Sequence, residues 1–321
     1  MRTLLTGAWE LRYPIIGAPM AGVAGGALAG AVSAAGGLGM IGIGSTDPVE
    51  KIPRESDVAR AHGRFGIGLM GWALDRSPDI LDATIAARPF LVSVSFGTDP
   101  AVVARLHAAG IKVAAQVNTA EDALTVERAG VDLIVAQGTE AGGHTGAVGT
   151  LPLLQIVLET VKTPVVAAGG IASGRGVAAV IAAGAQGVWI GTALLAATES
   201  QSSPEARATV IAARENMTVL TSLFDRMQNI PWPARYPGRA LANAFTARWH
   251  DHIDEAAADP AARAELEQAR AARDFRTAYI YAGQAVGMVD RERAAGDVVR
   301  SIGDDAAARL SALAEHVLAE R

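Results

Sequence analysis

A single histidine lies within a glycine-rich segment, Gln137–Gly146, whose sequence is QGTEAGGHTG. This residue, His144, follows a run that predicts a buried strand, Val131–Ala136. An imidazole held in a rigid glycine loop at the end of a strand suits acid–base catalysis or anion binding. The alternative is a solvated loop histidine with no chemical role. Glu140 lies on the same loop and could equally well orient the backbone.

Two further glycine loops follow predicted strands. One spans Ala168–Gly174 and the other spans Ile190–Thr192. Glycines let backbone N–H groups approach an anion closely, and a helix that begins near Ser173 would add its positive end. Close packing of a helix on a strand would explain one such loop about as well. Two loops in succession favour a ligand that carries a phosphate.

Other chemistries find little support in the composition. The chain has no cysteine, which excludes disulfides, thiolate catalysis and cysteine-ligated metals. The six histidines form no HExxH motif or carboxylate–histidine spacing, so no metal site is predicted. The net charge is −5 and no basic stripe occurs, which argues against nucleic acid as a partner. With no targeting segment recognised, we expect a cytoplasmic protein; whether it forms a homo-oligomer is left open.

The elements that would position these loops follow one repeating pattern, the Ala-Gly cadence: a helix, then Ala-Gly, then a short apolar strand. The glycines of this cadence are Gly36, Gly110, Gly130 and Gly184. Glycine just past a helix end closes the last turn in a left-handed conformation. Eight strands are predicted, centred near Ile15, Ile41, Ile67, Val92, Val113, Ile134, Val166 and Val188. This pattern predicts an α/β fold, a (β/α)8 TIM barrel. An open doubly wound sheet is the alternative, but it would more often show one dominant phosphate loop after its first strand.

The stretch Tyr13–Thr46 has no charged residue and is long enough to suggest a membrane span. Its ten glycines and two prolines argue against that interpretation. It is predicted instead to form two buried strands, Pro14–Gly17 and Leu38–Ile43, around a helix at Leu28–Ala35. No membrane association is expected.

The cadence stops after Leu195. We predict a barrel domain of residues 1–198 and 276–321, interrupted after the eighth strand by a small helical lid subdomain, residues 199–275. Eight of the fifteen aromatic residues lie between Phe224 and Tyr281, either as the core of this insertion or as the lining of a pocket. Asp304 is predicted to cap a final helix. That helix would pack on the barrel through Leu310, Leu313, Val317 and Leu318.

Five segments resemble the nitronate monooxygenase family, formerly called 2-nitropropane dioxygenases. They are Ile15–Gly22, Glu140–Gly146, Ala167–Ile171, Trp189–Thr192 and Gly283–Gly287. The resemblance spans almost the whole chain, and its most specific part is the EAGGH sequence of the second segment. It implies a TIM barrel that binds FMN non-covalently under a helical lid. Flavin-dependent enoyl-acyl-carrier-protein reductases share the barrel and the EAGGH loop.

The resemblance also implies roles for individual residues. Ala18, Pro19 and Met20 would line the isoalloxazine through their backbone, although Met20 could equally be ordinary packing. Gln116, where many relatives have lysine, would reach the pyrimidine edge of the flavin, and Gln137 would lie beside it. The ribityl phosphate would be held by the glycine loops: Gly142, Gly143, Ala168, Gly169, Gly170, Gly191 and Thr192.

The function implied is FMN-dependent oxidation of alkyl nitronates, or nitroalkanes, with O2 to carbonyl compounds and nitrite. His144 would hold the anionic nitronate or deprotonate a neutral nitroalkane. No carboxylate is predicted to hold His144 in place. An NAD(P)H-dependent enoyl-thioester reductase is the alternative enzyme, and a flavin-binding protein without turnover is a third reading.

Overall fold

The computed structural model describes residues 1–74 and 76–317, with the backbone only at 316 and 317. Eight parallel strands form its central sheet. They are β1 (Ile15–Gly17), β2 (Gly39–Gly42), β3 (Phe65–Met70), β4 (Leu91–Ser95), β5 (Lys112–Val117), β6 (Leu133–Gln137), β8 (Val165–Ala168) and β9 (Val188–Ile190). A two-residue strand, β7 (Gly143–His144), lies in the loop after β6.

The sheet closes on itself. Its strands follow the order β1-β9-β8-β6-β5-β4-β3-β2, and a parallel bridge between Ile16 and Leu38 joins the two ends. All eight predicted strands are present, and the prediction of a (β/α)8 barrel is confirmed. The carboxyl ends of the strands meet at one mouth, so the loops after β6, β8 and β9 are neighbours there.

Helices alternate with the strands and then continue through residues 199–275, the segment called the insertion below. Those up to the eighth barrel strand are α1 (Gly26–Ala34), α2 (Lys51–Arg60), α3 (Gly71–Leu74), α4 (Pro78–Ala86), α5 (Pro100–Ala108), α6 (Ala120–Arg128), α7 (Thr150–Thr160) and α8 (Gly174–Ala182). Those after it are α9 (Pro204–Ala212), α10 (Leu223–Met227), α11 (Ala244–Trp249), α12 (Ile253–Ala258), α13 (Pro260–Ala272) and α14 (Ala295–Val317). Short 3-10 turns occupy Thr192–Leu194 and Gln284–Met288.

Local sequence explains where these helices end. The four glycines of the Ala-Gly cadence all have positive φ, between 74° and 110°, as a left-handed helix end requires. At the other end of α6, the Thr119 side chain accepts a hydrogen bond from the backbone N–H of Asp122. The chain from Tyr13 to Thr46 forms β1, α1 and β2, which confirms its interpretation as barrel rather than membrane span.

Alternate residues of each strand face two separate cores because successive side chains point to opposite sides of a sheet. Ile15, Ile41 and Ile134 pack outward against the helices. Ile16 and Val135 pack inside the barrel. The inner core also contains Leu5, Trp9 and Leu11, which pack near the first residues of the strands and close the amino-terminal end of the barrel.

The insertion is not purely helical, in contrast to the prediction. It contains two strands, β10 (Thr218–Thr221) and β11 (Gly238–Leu241), which pair antiparallel. β11 also pairs with β7 in the loop after β6. Each of these strands has only four residues, which is too short for a clear periodic pattern. β7 is a strand only because the insertion supplies its partner.

The predicted first residue of the last helix was wrong. α14 begins at Ala295, so Asp304 lies inside it and accepts a hydrogen bond of 2.7 Å from the hydroxyl of Tyr13. The helix packs on α1 and α8 through its first half, which buries Val298, Val299, Ile302 and Ala306. Leu313, predicted to face the barrel, is exposed; Leu318 lies outside the described residues, and so does the side chain of Val317.

Within the part of the chain that the structure covers, no helix is both long enough and apolar enough to cross a membrane.

Candidate active site

The glycine loop after β6 is fixed at the barrel mouth by the insertion. β7 pairs with β11, with Gly143 opposite Arg239 and His144 opposite Gly238. The backbone N–H of Thr145 donates to the carbonyl of Pro237. The loop is therefore held on both sides of His144, and the imidazole has a defined position.

The His144 side chain is buried against a carboxylate rather than solvated. Its Nε2 lies 2.9 Å from Oδ2 of Asp225, and the two side chains are only 8% and 6% exposed. The expectation that no carboxylate holds His144 was wrong. Asp225 lies on α10, 81 positions further along the chain, so no local pattern linked the two residues.

Tyr281 completes this hydrogen-bonded group. Its hydroxyl donates to the other oxygen of Asp225, Oδ1, at 3.3 Å. Burial, and then the charge of Asp225, raise the pKa of Tyr281 well above its ordinary value. The phenol therefore keeps its proton and remains a donor. Both oxygens of the buried carboxylate thus lie within hydrogen-bond distance of a polar group, as a buried charge requires.

An aromatic cluster covers the imidazole. The indole of Trp232 stacks on His144, with ring centroids 3.5 Å apart and planes at 10°. Trp72 and Phe96 each contact Trp232 edge to face, and Tyr236 contacts Phe96 in the same way. Of the aromatic residues that the sequence grouped together, Trp232, Tyr236 and Tyr281 lie here, whereas Phe224 and Phe245 form the insertion's own core.

Three amide side chains meet beside the loop. Gln116 on β5 donates from Nε2 to Oε1 of Gln137 on β6, at 2.7 Å. Asn118 donates to the same oxygen at 3.1 Å and to the backbone carbonyl of Gln137 at 2.7 Å. The structure thus brings the two predicted glutamines together. Sequence reasoning missed Asn118, although its position two residues after Gln116 was a signal.

Glu140 organises the loop rather than facing the mouth. Its Oε2 accepts hydrogen bonds of 2.8 Å from both the backbone N–H and the hydroxyl of Thr150, at the start of α7. Arg239 supports the loop from the other side, because its Nε donates to the carbonyl of Thr139 at 2.7 Å. Burial lowers the pKa of Arg239, while the nearby charge of Glu140 opposes that shift.

The glycines of the predicted phosphate loops fall into two groups. A Cβ on Gly142 would lie 2.6 Å from backbone atoms of Ala282 and Gly283, and one on Gly169 would lie 2.7 Å from the Thr150 hydroxyl. These two glycines are explained by packing against the protein itself. A Cβ on Gly143 would meet nothing within 4 Å, and one on Gly170 would meet only the side chain of Glu140, at 3.3 Å. Packing does not explain these two glycines, but both have positive φ, +74° and +70°.

The segment after β1 lies beside the last glycine loop. A Cβ on Gly191 would meet Cβ of Ala18 at 3.3 Å and the sulfur of Met20 at 3.4 Å. Pro19 packs closely on β3, where a Cβ on Gly68 would lie 2.3 Å from its ring. The hydroxyl of Thr192 accepts a hydrogen bond from the backbone N–H of Gly283. Ala168 is buried at the end of β8.

A family model described as nitronate monooxygenase matches residues 78–305 of this chain. Among curated proteins, the chain is 39% identical over 234 residues to a Mycobacterium tuberculosis protein named as a monooxygenase. That match covers 68% of this chain and 60% of the other, so it leaves more than a third of the relative unmatched. The chain is 33% identical over 328 residues to a nitronate monooxygenase of Paraburkholderia phytofirmans, covering 86% and 87% of the two chains.

Two solved structures share the whole architecture. FabK from Thermotoga maritima gives a TM-score of 0.85 at 29% identity and covers 98% of this chain and 99% of its own. Nitroalkane oxidase from Streptomyces ansochromogenes gives 0.82 at 32% identity and covers 97% of this chain and all of its own. The similarity thus extends through the barrel and the insertion alike.

Proposed function

Because the chain belongs to the nitronate monooxygenase family, we propose that it oxidises alkyl nitronates, or the parent nitroalkanes, with O2 to carbonyl compounds and nitrite. The observation that carries this proposal is the placement of His144. A buried, hydrogen-bonded imidazole stands in a glycine loop at the barrel mouth, beside amide donors and under an aromatic cover. A small, planar, polar substrate such as a nitronate suits that combination.

Membership of this family carries with it a flavin as the redox group, and we propose that the flavin is FMN, bound non-covalently. The flavin supplies the electron acceptor that no side chain of this protein could provide. FMN has one terminal phosphate, and the absence of side chains at Gly143 and Gly170 leaves room for such an anion to approach these loops. Gly142, Gly169, Gly191 and Thr192 would shape the loops around it rather than each contact the phosphate.

The isoalloxazine would lie between the segment after β1 and the amide cluster. Ala18, Pro19 and Met20 present backbone at the mouth, beside Gly191. Gln116 and Gln137 hold each other in place, so their amides are oriented in advance for a heterocycle with hydrogen-bonding edges. Oriented amides of this kind cost little conformational entropy when the ligand binds.

The side chains around His144 would prepare the substrate. The imidazole would accept the proton of a neutral nitroalkane or hold an anionic nitronate, and the aromatic cluster would keep water away from it. We propose that residues 199–275 supply this substrate side of the site, while residues 1–198 and 276–321 supply the flavin side. The insertion contributes Asp225, Trp232 and Tyr236.

An enoyl-thioester reductase is the second candidate, because FabK gives a slightly higher TM-score than the nitroalkane oxidase does. Anaerobic mixing separates the two enzymes. Bleaching of the flavin absorbance by ethyl nitronate, with no response to NADH or NADPH, would support the proposed function. Bleaching by a nicotinamide nucleotide alone would support the reductase.

The absorbance spectrum of the purified protein is the first measurement to make. A yellow protein that releases FMN on denaturation is expected. A colourless protein that FMN does not reconstitute would contradict the proposal, as would release of FAD. If the protein is yellow but neither ethyl nitronate nor a nicotinamide nucleotide bleaches its flavin, it binds flavin without turnover.

A further inference from the structure

The two nitrogens of the His144 imidazole have different surroundings. Nε2 is held at 2.9 Å by Asp225. Among the described residues, no group makes a hydrogen bond to Nδ1. One face of the ring is covered by Trp232. The rings of Tyr281 and Phe96 also lie near the imidazole, with centroids 5.4 Å and 6.5 Å from its own. Nδ1 is therefore the ring nitrogen that the described residues leave without a hydrogen-bond partner.

We propose that Asp225 is a positioning residue that holds His144 as the tautomer protonated on Nε2, so that Nδ1 is the atom that meets the substrate. The identity of the substrate, a nitroalkane or its nitronate, rests on the proposed function. The tautomer does not, because it follows from the contacts of Asp225 alone.

The contacts of Asp225 decide which nitrogen carries the proton. A carboxylate offers only acceptors, so each atom that faces it within hydrogen-bond distance must bring a hydrogen. Tyr281 brings one to Oδ1, and Nε2 of His144 must bring the other to Oδ2. A neutral imidazole carries one proton, so Nδ1 is then an acceptor. Nδ1–H with a bare Nε2 would set a lone pair against a buried carboxylate oxygen.

This arrangement has a definite consequence for a neutral nitroalkane. The C–H bond next to the nitro group breaks, its proton passes to Nδ1, and its electron pair delocalises onto the nitro group to give the nitronate. The imidazole becomes an imidazolium, and Asp225, ion-paired at Nε2, balances its new charge. The step needs no other reactant, because the proton and the electron pair are both accounted for.

The same atom serves a substrate that arrives as the nitronate. When the imidazole carries both protons, Nδ1–H points away from Asp225 and can donate to a nitronate oxygen. Asp225 keeps the ring in the same orientation in both cases. Its loss should therefore affect neutral nitroalkanes more than nitronates, because only neutral nitroalkanes need a base to remove a proton.

A purely architectural role for Asp225 gives a different expectation. The ion pair could serve only to fasten α10 to the loop after β6, with the tautomer of no consequence. Removal of Asp225 would then lower stability and reduce turnover of both substrates to the same extent. The tautomer and the ratio of the two activities are readouts that such a role would not change.

The test begins with the protein as purified, labelled with 15N-histidine. Long-range 1H–15N correlation spectra distinguish a proton on Nε2 from one on Nδ1, and His144→Ala identifies the signals of His144. The expected result is protonation on Nε2 in the neutral form. A neutral His144 protonated on Nδ1 overturns the inference without any variant of Asp225.

Asp225→Asn is the informative variant because its amide has nearly the same shape. An amide can donate to Nε2 as readily as accept from it, so the Nδ1–H form should become populated. We expect kcat with nitroethane to fall by about 10²-fold or more, and kcat with ethyl nitronate to fall less. Asp225→Glu, which restores a carboxylate, should recover part of the Nε2–H population.

Asp254→Asn is the matched control. Asp254 lies in the same insertion, is exposed, and pairs with Arg226 at 2.7 Å. It should leave the His144 spectrum and both activities unchanged. An Asp225→Asn protein with an unchanged tautomer, or with equal losses on both substrates, contradicts the inference. If neither substrate is oxidised by the unsubstituted protein, the proposed function fails, and the spectrum still decides the tautomer.

Discussion

Gly238 lies directly opposite His144 across two antiparallel strands, and the ring of Tyr281 occupies the space where a side chain on Gly238 would stand. A Cβ there would be 2.6 Å from Cε1 of Tyr281. Three residues that are distant in sequence therefore depend on one another in space. The absence of a side chain at position 238 lets the tyrosine reach Asp225.

The first prediction follows from that contact. Gly238→Ala should displace the Tyr281 ring and lower the free energy of unfolding by about 1–3 kcal/mol, as overpacking does. Urea denaturation measures the stability, and turnover of ethyl nitronate should fall with it. Gly149→Ala is the control, because its Cβ would make only ordinary contacts, 3.6 Å or more. Equal stability and equal turnover of the two variants would contradict the inference that the Gly238–Tyr281 contact is tight.

A second prediction concerns Gly170. Its φ is +70°, so any side chain strains the backbone there by about 1–2 kcal/mol, whether or not a phosphate binds. Gly110 has φ +74° and open space around it, far from the mouth, and provides the same strain without the ligand. We expect Gly170→Val to lose FMN and Gly110→Val to keep it, as measured by flavin content after purification. Full flavin content in the Gly170 variant would place the phosphate elsewhere.

A third prediction concerns His144 itself. His144→Ala should lower kcat/KM by about 10²–10⁴-fold, the usual cost of losing a positioned acid–base group. It should also destabilise the fold by roughly 1–3 kcal/mol, because Asp225 is left buried without its partner. Steady-state kinetics with nitroethane and with ethyl nitronate give the comparison. Near-normal turnover of both would return His144 to a purely structural role.

The fourth prediction is a dependence of stability on alkaline pH. Burial raises the pKa of Tyr281, so above about pH 10 the unfolded chain loses this proton while the folded protein retains it. The contribution of Tyr281 to the free energy of unfolding is therefore fully present below pH 10 and is lost as the pH rises further. Tyr13 and Tyr236 have pKa values raised in the same direction and should add to the decline.

Tyr281→Phe should make that decline shallower, because the phenyl ring has no proton to lose. Urea denaturation at a series of pH values from 8 to about 11 measures the slope. At neutral pH the variant should lose only the stability of one hydrogen bond, about 1 kcal/mol. Parallel slopes for the two proteins would contradict the assigned pKa direction.

The barrel could be predicted from the sequence because its signals are local. Each strand is a short apolar run. Each Ala-Gly pair predicts a left-handed turn, and Gly36, Gly110, Gly130 and Gly184 adopt that conformation. Asp304 shows the limit of such reasoning. Its side chain suits a helix start, but α14 begins nine residues earlier, because buried contacts of Val298 and Ile302 extend the helix.

The environment of His144 could be predicted only in part. The glycine loop and its place at the mouth follow from the chain on either side of it. Asp225, Trp232 and Tyr281 could not be assigned, because they reach the imidazole from a segment without periodic pattern. The glycines raised a related difficulty: the sequence cannot distinguish Gly142, which is packed on the backbone of Ala282, from Gly143, which is open.

The pairing of β7 with β11 constrains how small molecules enter and leave. A rigid swing of the insertion away from the barrel would break this pairing and would expose the buried Asp225–His144 pair to water. We expect such an opening to be slow, because it would break strand hydrogen bonds and hydrate a buried carboxylate. We therefore expect small molecules to exchange through a local rotation of Trp232, which Pro231 and Pro233 flank. The rate of product release should then depend on this short loop.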